Sequence, residues 1–208
     1  MVLGIPGGMC QLSFVLSQAV TTSFTVVLGE SIVNTKVYIY NIVTYTSRIS
    51  LALGKATGIL MGRYRGRGQL DTIKQLFRQN VLFAAVCNTS LSALAFFFCK
   101  PLISLFSDSA DIIALAIPIM LVDIFVELCR GINHISESSL NANGDVRATF
   151  LISVFSTWMF GVLLSYLLGI TLGMGLVGIW VAFAADEAFR AVSYLARWKR
   201  GLWKEKVI

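Results

Sequence analysis

Charge is what this sequence has least of. Only 13% of its 208 residues are Asp, Glu, Lys or Arg, against about a quarter in ordinary soluble domains. With 56% hydrophobic residues and a mean hydropathy of +0.76, composition argues against a soluble globular domain. Proline is scarce too: there are three, and Pro6 and Pro101 fall near the ends of apolar segments. Histidine occurs once, at His134, and the four cysteines (Cys10, Cys87, Cys99, Cys129) make no CxxC pair or Cys/His cluster. Neither a disulfide framework nor a metal site is implied. No HExxH, GxSxG or paired intramembrane aspartate motif is present, which argues against an enzyme. The basic stretch GRYRGRGQLDTIKQ lacks the GKS/T ending of a phosphate loop. The N-terminus lacks a basic region and an obvious cleavage site, so its apolar stretch is read as a retained helix rather than a signal peptide.

What is present is a series of six apolar segments, about 9–28, 36–61, 81–106, 112–133, 150–172 and 176–197. Each is near the roughly 20 residues that cross a hydrocarbon core. Together they take up nearly the whole chain, so residues 1–208 are expected to form a single six-helix transmembrane lobe, an all-α membrane protein. Gly29, Gly62 and Gly173 mark expected helix ends. The net charge of +6 and pI of about 9.3 could suggest nucleic acid, but the positive charge lies in short turns. Arg63, Arg65, Arg67, Lys74, Arg78, Arg147, Arg197, Lys199, Arg200, Lys204 and Lys206 fall on one side of the six crossings, against Lys36 and Lys100 on the other. The positive-inside rule then puts both termini in the cytoplasm, in a multi-pass plasma (inner) membrane protein. Trp198 and Trp203 would sit in an inner aromatic belt.

The few charges inside the segments are ordered. Asp123, Glu127, Arg130, His134 and Glu137 step by 4, 3, 4 and 3 residues, which is one face of one helix. Asp186, Glu187 and Arg190 lie in the last segment, and Arg48 follows Tyr45 in the second. Counted at about 1.5 Å per residue, Arg48, Asp123, Glu127, Asp186 and Arg190 reach a common depth near mid-membrane. Ionisable groups there are costly, so they are expected to pair around a shared polar cavity. Glu127 with Arg130, and Asp186 with Arg190, have the spacing of intrahelical pairs. Such pairs could equally dock helices without touching a substrate. Gln18 with its threonine neighbours, Tyr45 and Asn133 complete the candidate lining. His134 reads as a solvated helix-end residue, and Lys55 as a snorkelling one. The fifth segment is plainest, with Ser153, Ser156, Thr157 and Ser165, and reads as a packing or lipid-facing helix. Asn88 matches a glycosylation sequon, but inside a helix it is not expected to be modified.

Four stretches resemble the second half of a multidrug and toxic compound extrusion (MATE) transporter. They are the opening LGIPGGMCQLSFVLSQ, then LGKATGILMGRYRGRG, SLNANGDVRATF and the tail GLVGIWVAFAADEAFRAVSYLARWKRGLW. ELCRGIN and DEAFR, which carry Glu127, Arg130, Asn133, Asp186, Glu187 and Arg190, are similar to a prokaryotic branch. The resemblance implies one lobe of a twelve-helix secondary antiporter. It would export amphipathic or cationic compounds in exchange for protons or sodium, with no other cofactor. Its partners would be the bilayer, a small-molecule substrate, and an N-terminal six-helix lobe or a second copy. Some sodium-coupled members carry a glutamate in the seventh helix and an aspartate in the tenth. Here the first helix has no acid before Glu30, and Arg130 stands in the tenth-helix position. Glu127, Asp123 or the Asp186/Glu187 pair would have to serve instead. Alternative readings are a lipid-linked oligosaccharide flippase of the same superfamily, which an arginine-dominated cavity would favour, and a structural membrane protein without transport.

Overall fold

The computed structural model of the chain describes residues 4–201 and 203, with side chains from Met9 onward. Lys204 and Lys206 of the basic tail, and the side chains of the Gly-Ile-Pro opening, lie outside the described residues. All described elements are helical. They run α1 (Gly4–Leu28), α2 (Glu30–Gly66), α3 (Leu70–Phe97), α4 (Cys99–Ser104), α5 (Ala110–Ala142), α6 (Val146–Ser156) and α7 (Gly175–Arg200). Past α6 the rod continues as wider π-helical turns at Thr157–Leu164 and Leu167–Thr171. α1 and α2 are joined through Gly29 alone, whose φ of 119° is open only to glycine. The third rod breaks at Phe98 because the ring of Pro101 crowds the carbonyl of Phe97, four residues back.

Several helices run past their apolar stretches. α2 continues through Gly62 to Gly66, α3 begins at Leu70 and α5 reaches Ala142. Gly62 therefore ends nothing; the turn comes at Gly68, with φ 71°. His134 likewise lies inside α5, half-buried, and is not a helix-end residue. Hydropathy marks where a rod meets apolar surroundings, whereas backbone hydrogen bonding carries the helix on into polar turns.

α5 is the central rod, packed against α2, α3 and α7. Its approach to two of them requires glycine. A Cβ at Gly131 would meet the Ala84 carbonyl oxygen at 2.8 Å, and one at Gly54 would meet the His134 carbonyl oxygen at 2.6 Å. Small residues let helix backbones close together where lipid supplies no hydrophobic drive. Stepping four residues along α3, from Asn88 to Ser92, moves the partner on α5 four residues back, from Glu127 to Asp123. These two rods are antiparallel. α5 and α7 are parallel, because Asp123–Trp180 and Arg130–Glu187 are both 57 residues apart.

The outer faces carry many exposed large apolar side chains, among them Val27, Leu82, Phe83, Leu151 and Val192. Such continuous apolar exposure suits lipid. Helices at Met9–Leu28, Leu70–Phe97, Ala110–Ala142 and Val146–Thr171 are long and apolar enough to cross a membrane. α2 and α7 have the length, but hydroxyl and amide side chains interrupt the apolar stretch of α2, and Asp186, Glu187 and Arg190 interrupt that of α7. In α7 this misleads, since Asp186, Glu187 and Arg190 satisfy one another inside the bundle. Trp198 and Trp203 do not form a belt. They stack on Phe77 and on each other, with ring centroids 4.0 and 4.5 Å apart, and both are buried.

Candidate functional site

Two apolar clusters fill the bundle. One joins Ile39, Val43, Ile103, Ile119, Met120 and Ile179. The other, nearer the basic turns, joins Met61, Ile73, Phe77, Ile135, Leu140, Tyr194 and Trp198. Between them, on every rod that reaches the centre, lies a polar layer. Ser50 of α2, Asn88 and Ser92 of α3, Asp123 to Asn133 of α5, Ser156 at the end of α6, and Asp186 to Arg190 of α7 all belong to it.

The layer is one connected network. Asn88 Nδ2 donates to Ser50 Oγ at 3.0 Å and to Glu127 Oε2 at 2.9 Å. The other oxygen of Glu127 pairs with Arg130. Arg130 Nε donates to Glu187 Oε1 at 3.1 Å, so its guanidinium bridges α5 and α7. Asn133 Nδ2 donates to Glu187 Oε2 at 2.7 Å and to the Glu187 carbonyl at 2.9 Å. Arg190 lies 3.4 Å from Glu187 Oε1 and pairs closely with Asp186. Ser156 closes the far side by donating to Asp186, where the first π-helical turn begins. Wide turns of this kind often occur at functional positions.

Asp123 stands apart. It is 1% exposed, and its donors are neutral: Trp180 Nε1 to Oδ1 and Ser92 Oγ to Oδ2, both at 3.2 Å. Among the described residues no base lies within ion-pair distance of it. Three carboxylates, Glu127, Asp186 and Glu187, share the two guanidiniums of Arg130 and Arg190, and Asp123 makes a fourth. The layer is acidic when fully ionised.

Seven of the ten candidate residues meet here: Asp123, Glu127, Arg130, Asn133, Asp186, Glu187 and Arg190. Arg48, Tyr45 and Gln18 do not. The buried face of α2 runs through Ile39, Val43, Ser50, Gly54 and Thr57. Arg48 is two positions from Ser50, about 200° round the helix, and so is exposed, as is Tyr45 at 79%. Equal depth did not bring Arg48 to the acids, because depth says nothing of facing. Gln18 instead lines a separate cavity with Thr22 and Lys36. The rod of α6 is not merely a packing helix, since Ser156 serves Asp186. Sequence reasoning also missed Asn88, Ser92, Trp180 and Ser50. The signal for the first two was their i, i+4 spacing on an otherwise apolar stretch of α3. One further pair lies apart from the layer: Arg197 of α7 donates through Nε and Nη2 to the two carboxylate oxygens of Asp145, in the turn between α5 and α6.

The chain is thus an all-helical bundle with apolar outer faces and paired charges at its centre. The MatE family model matches residues 6–167, and the chain belongs to that family. It is 38% identical over 204 residues to the uncharacterised transporter YisQ of Bacillus subtilis (strain 168), covering 98% of this chain and 45% of that one. It is 24% identical to the probable multidrug resistance protein YoeA of the same organism, covering 99% and 44%. The fold matches the outward-facing conformation of a multidrug resistance MATE family transporter of the MOP superfamily, with TM-score 0.87 at 18% identity, over 98% of this chain and 46% of that one. It also matches the bent form of the Vibrio cholerae MATE transporter VcmN, with TM-score 0.88 at 18% identity, over 97% and 46%. The chain thus spans a little under half the length of these relatives.

Proposed function

We propose that this chain acts as one six-helix lobe of a cation-coupled exporter, with both termini on the cytoplasmic side of the plasma membrane. The observation that carries the reading is the surplus of buried carboxylates over guanidiniums. Uncompensated charge inside a bilayer costs several kcal/mol, so protons or sodium ions complete the layer. Asp123 holds the exchangeable one, because its hydrogen-bond donors, Ser92 and Trp180, are both neutral. Glu127, Asp186 and Glu187 set the field that it feels. A cationic amphipath competes with the coupling ion for this negative charge, and that competition links the two flows. Rocking access around a central site takes two lobes. The exposed polar residues Asn41, Tyr45 and Arg48 of α2 support a partner lobe facing them, either a second six-helix segment or a second copy. Lacking one, the chain is expected to be inactive. The acidic surplus argues against a pyrophosphate-linked lipid as cargo.

The test is export of a cationic dye by the complete protein in liposomes, driven separately by a proton gradient and by a sodium gradient. Asp123→Asn, Glu127→Gln and Asp186→Asn are compared with the parent at matched protein levels. Asp123→Asn is expected to abolish gradient-driven export. Unchanged coupling in all three variants would remove the proposal and leave a charge network that only docks helices.

A further inference from the structure

Lys36 is an anomaly that the carboxylate layer does not explain. It sits near the start of α2, at the end of the bundle opposite the basic turns, and is 6% exposed. An ammonium has three N–H donors. The structure shows one of them in use, to Thr22 Oγ1 of α1 at 2.9 Å. That hydroxyl donates its own proton to the Gln18 carbonyl at 2.7 Å, so it turns a lone pair towards the lysine. Among the described residues no carboxylate lies within 4 Å of Lys36. Burying a charged group with a single neutral partner is expensive.

Beside the lysine is a cavity of about 240 Å³ between α1 and α2. Its polar edge is made by Lys36, Thr22, Gln18 and Asn41, and its apolar wall by Val33, Val37 and Tyr40. The cavity is smaller than the roughly 300–1,000 Å³ of drug-sized pockets, so it holds a head group and a ring or short chain. The positive charge at one edge selects an anion, and the side-chain amides of Gln18 and Asn41 can donate to its remaining oxygens. Tyr40 and the two valines select an apolar body.

We propose that this cavity binds an amphipathic monoanion, with a carboxylate, sulfonate or phosphate seated on Lys36 and the apolar part against Tyr40. The site is separate from the carboxylate layer in sign of charge and in position along α2, where Lys36 lies well before Ser50, and it does not depend on the exporter reading. The shared chemistry is an anionic oxygen cluster on an apolar body, whether from a dissolved compound or from a bilayer lipid.

The probe is 4-butylbenzoate, titrated calorimetrically into the complete protein in nanodiscs of phosphatidylcholine, with 4-butylbenzylammonium as the charge-reversed control. Benzoate is expected to bind and the ammonium not. Lys36→Gln is expected to weaken benzoate binding by roughly tenfold to a hundredfold, the range for losing a charged hydrogen bond. Lys36→Arg is expected to retain binding, and Val37→Trp to abolish it by filling the cavity while Lys36 stays. Thermal unfolding without ligand shows whether each variant is folded. In phosphatidylglycerol nanodiscs, loss of benzoate binding to the parent protein assigns the site to lipid phosphate, and retention assigns it to dissolved anions. Equal benzoate affinity in the parent and a folded Lys36→Gln, or equal affinity for the ammonium, overturns the proposal.

Discussion

Replacing Arg130 by methionine is the sharpest perturbation of the polar layer. Its guanidinium serves Glu127 on its own helix and Glu187 on α7, and the two carboxylates are almost fully buried. At the 3.1 Å separation from Glu187, an effective dielectric of 20 gives about 5 kcal/mol of attraction. Arg130 is 23% exposed and costs solvation to bury, so the net loss is smaller than the sum of its two contacts. Removing one member of a buried pair typically costs about 3–5 kcal/mol, because the partner is left charged and alone. For a chain of this length that lowers the unfolding midpoint by roughly 6–20 °C. The measurement is fluorescence-detected thermal unfolding in maltoside micelles. The companion variant, Glu127→Gln with Arg130→Met and Glu187→Gln, removes the orphaned charge as well. It is expected to recover most of the lost stability, since neutral replacement of a buried charged set is often tolerated. An Arg130→Met protein that melts within about 2 °C of the parent would refute the reasoning. If the neutral triple variant folds and still exports under a gradient, these charges are structural.

Two further outcomes follow from the packing. Arg197 and Asp145 tie the end of α7 to the α5–α6 turn, so neutralising either alone is expected to cost about 1–3 kcal/mol. A double-mutant cycle in chemical denaturation should return a coupling energy above zero, and strict additivity would deny the contact any role. Gly131→Val drives a side chain into the Ala84 carbonyl. It is expected to destabilise by about 1–3 kcal/mol or more, read as a lower melting temperature, whereas Gly66→Ala, with open space around it, should leave the midpoint unchanged.

Much of the bundle was legible beforehand because periodicity and apolar length act locally. The pairs Glu127–Arg130 and Asp186–Arg190 lie on single helices, so their spacing alone put them within reach. Helix ends were less legible, since α2, α3 and α5 run on into polar turns. Facing was least legible. Arg48 shares the acids' depth but not their side of α2, and Gln18 turns to Lys36 instead.

By itself the sequence determined a bundle of apolar rods, the strip of charge along α5, and the intrahelical pairs, all consequences of 3.6 residues per turn and the cost of charge in lipid. Only the tertiary structure decided that Arg130 spans to Glu187, that Asn88 and Ser156 serve carboxylates on other rods, and that among the described residues Asp123 makes no ion pair with a base and Lys36 none with an acid. Those outcomes depend on how each rod is rotated about its axis. That rotation is set by glycine contacts and packing between residues far apart in the chain.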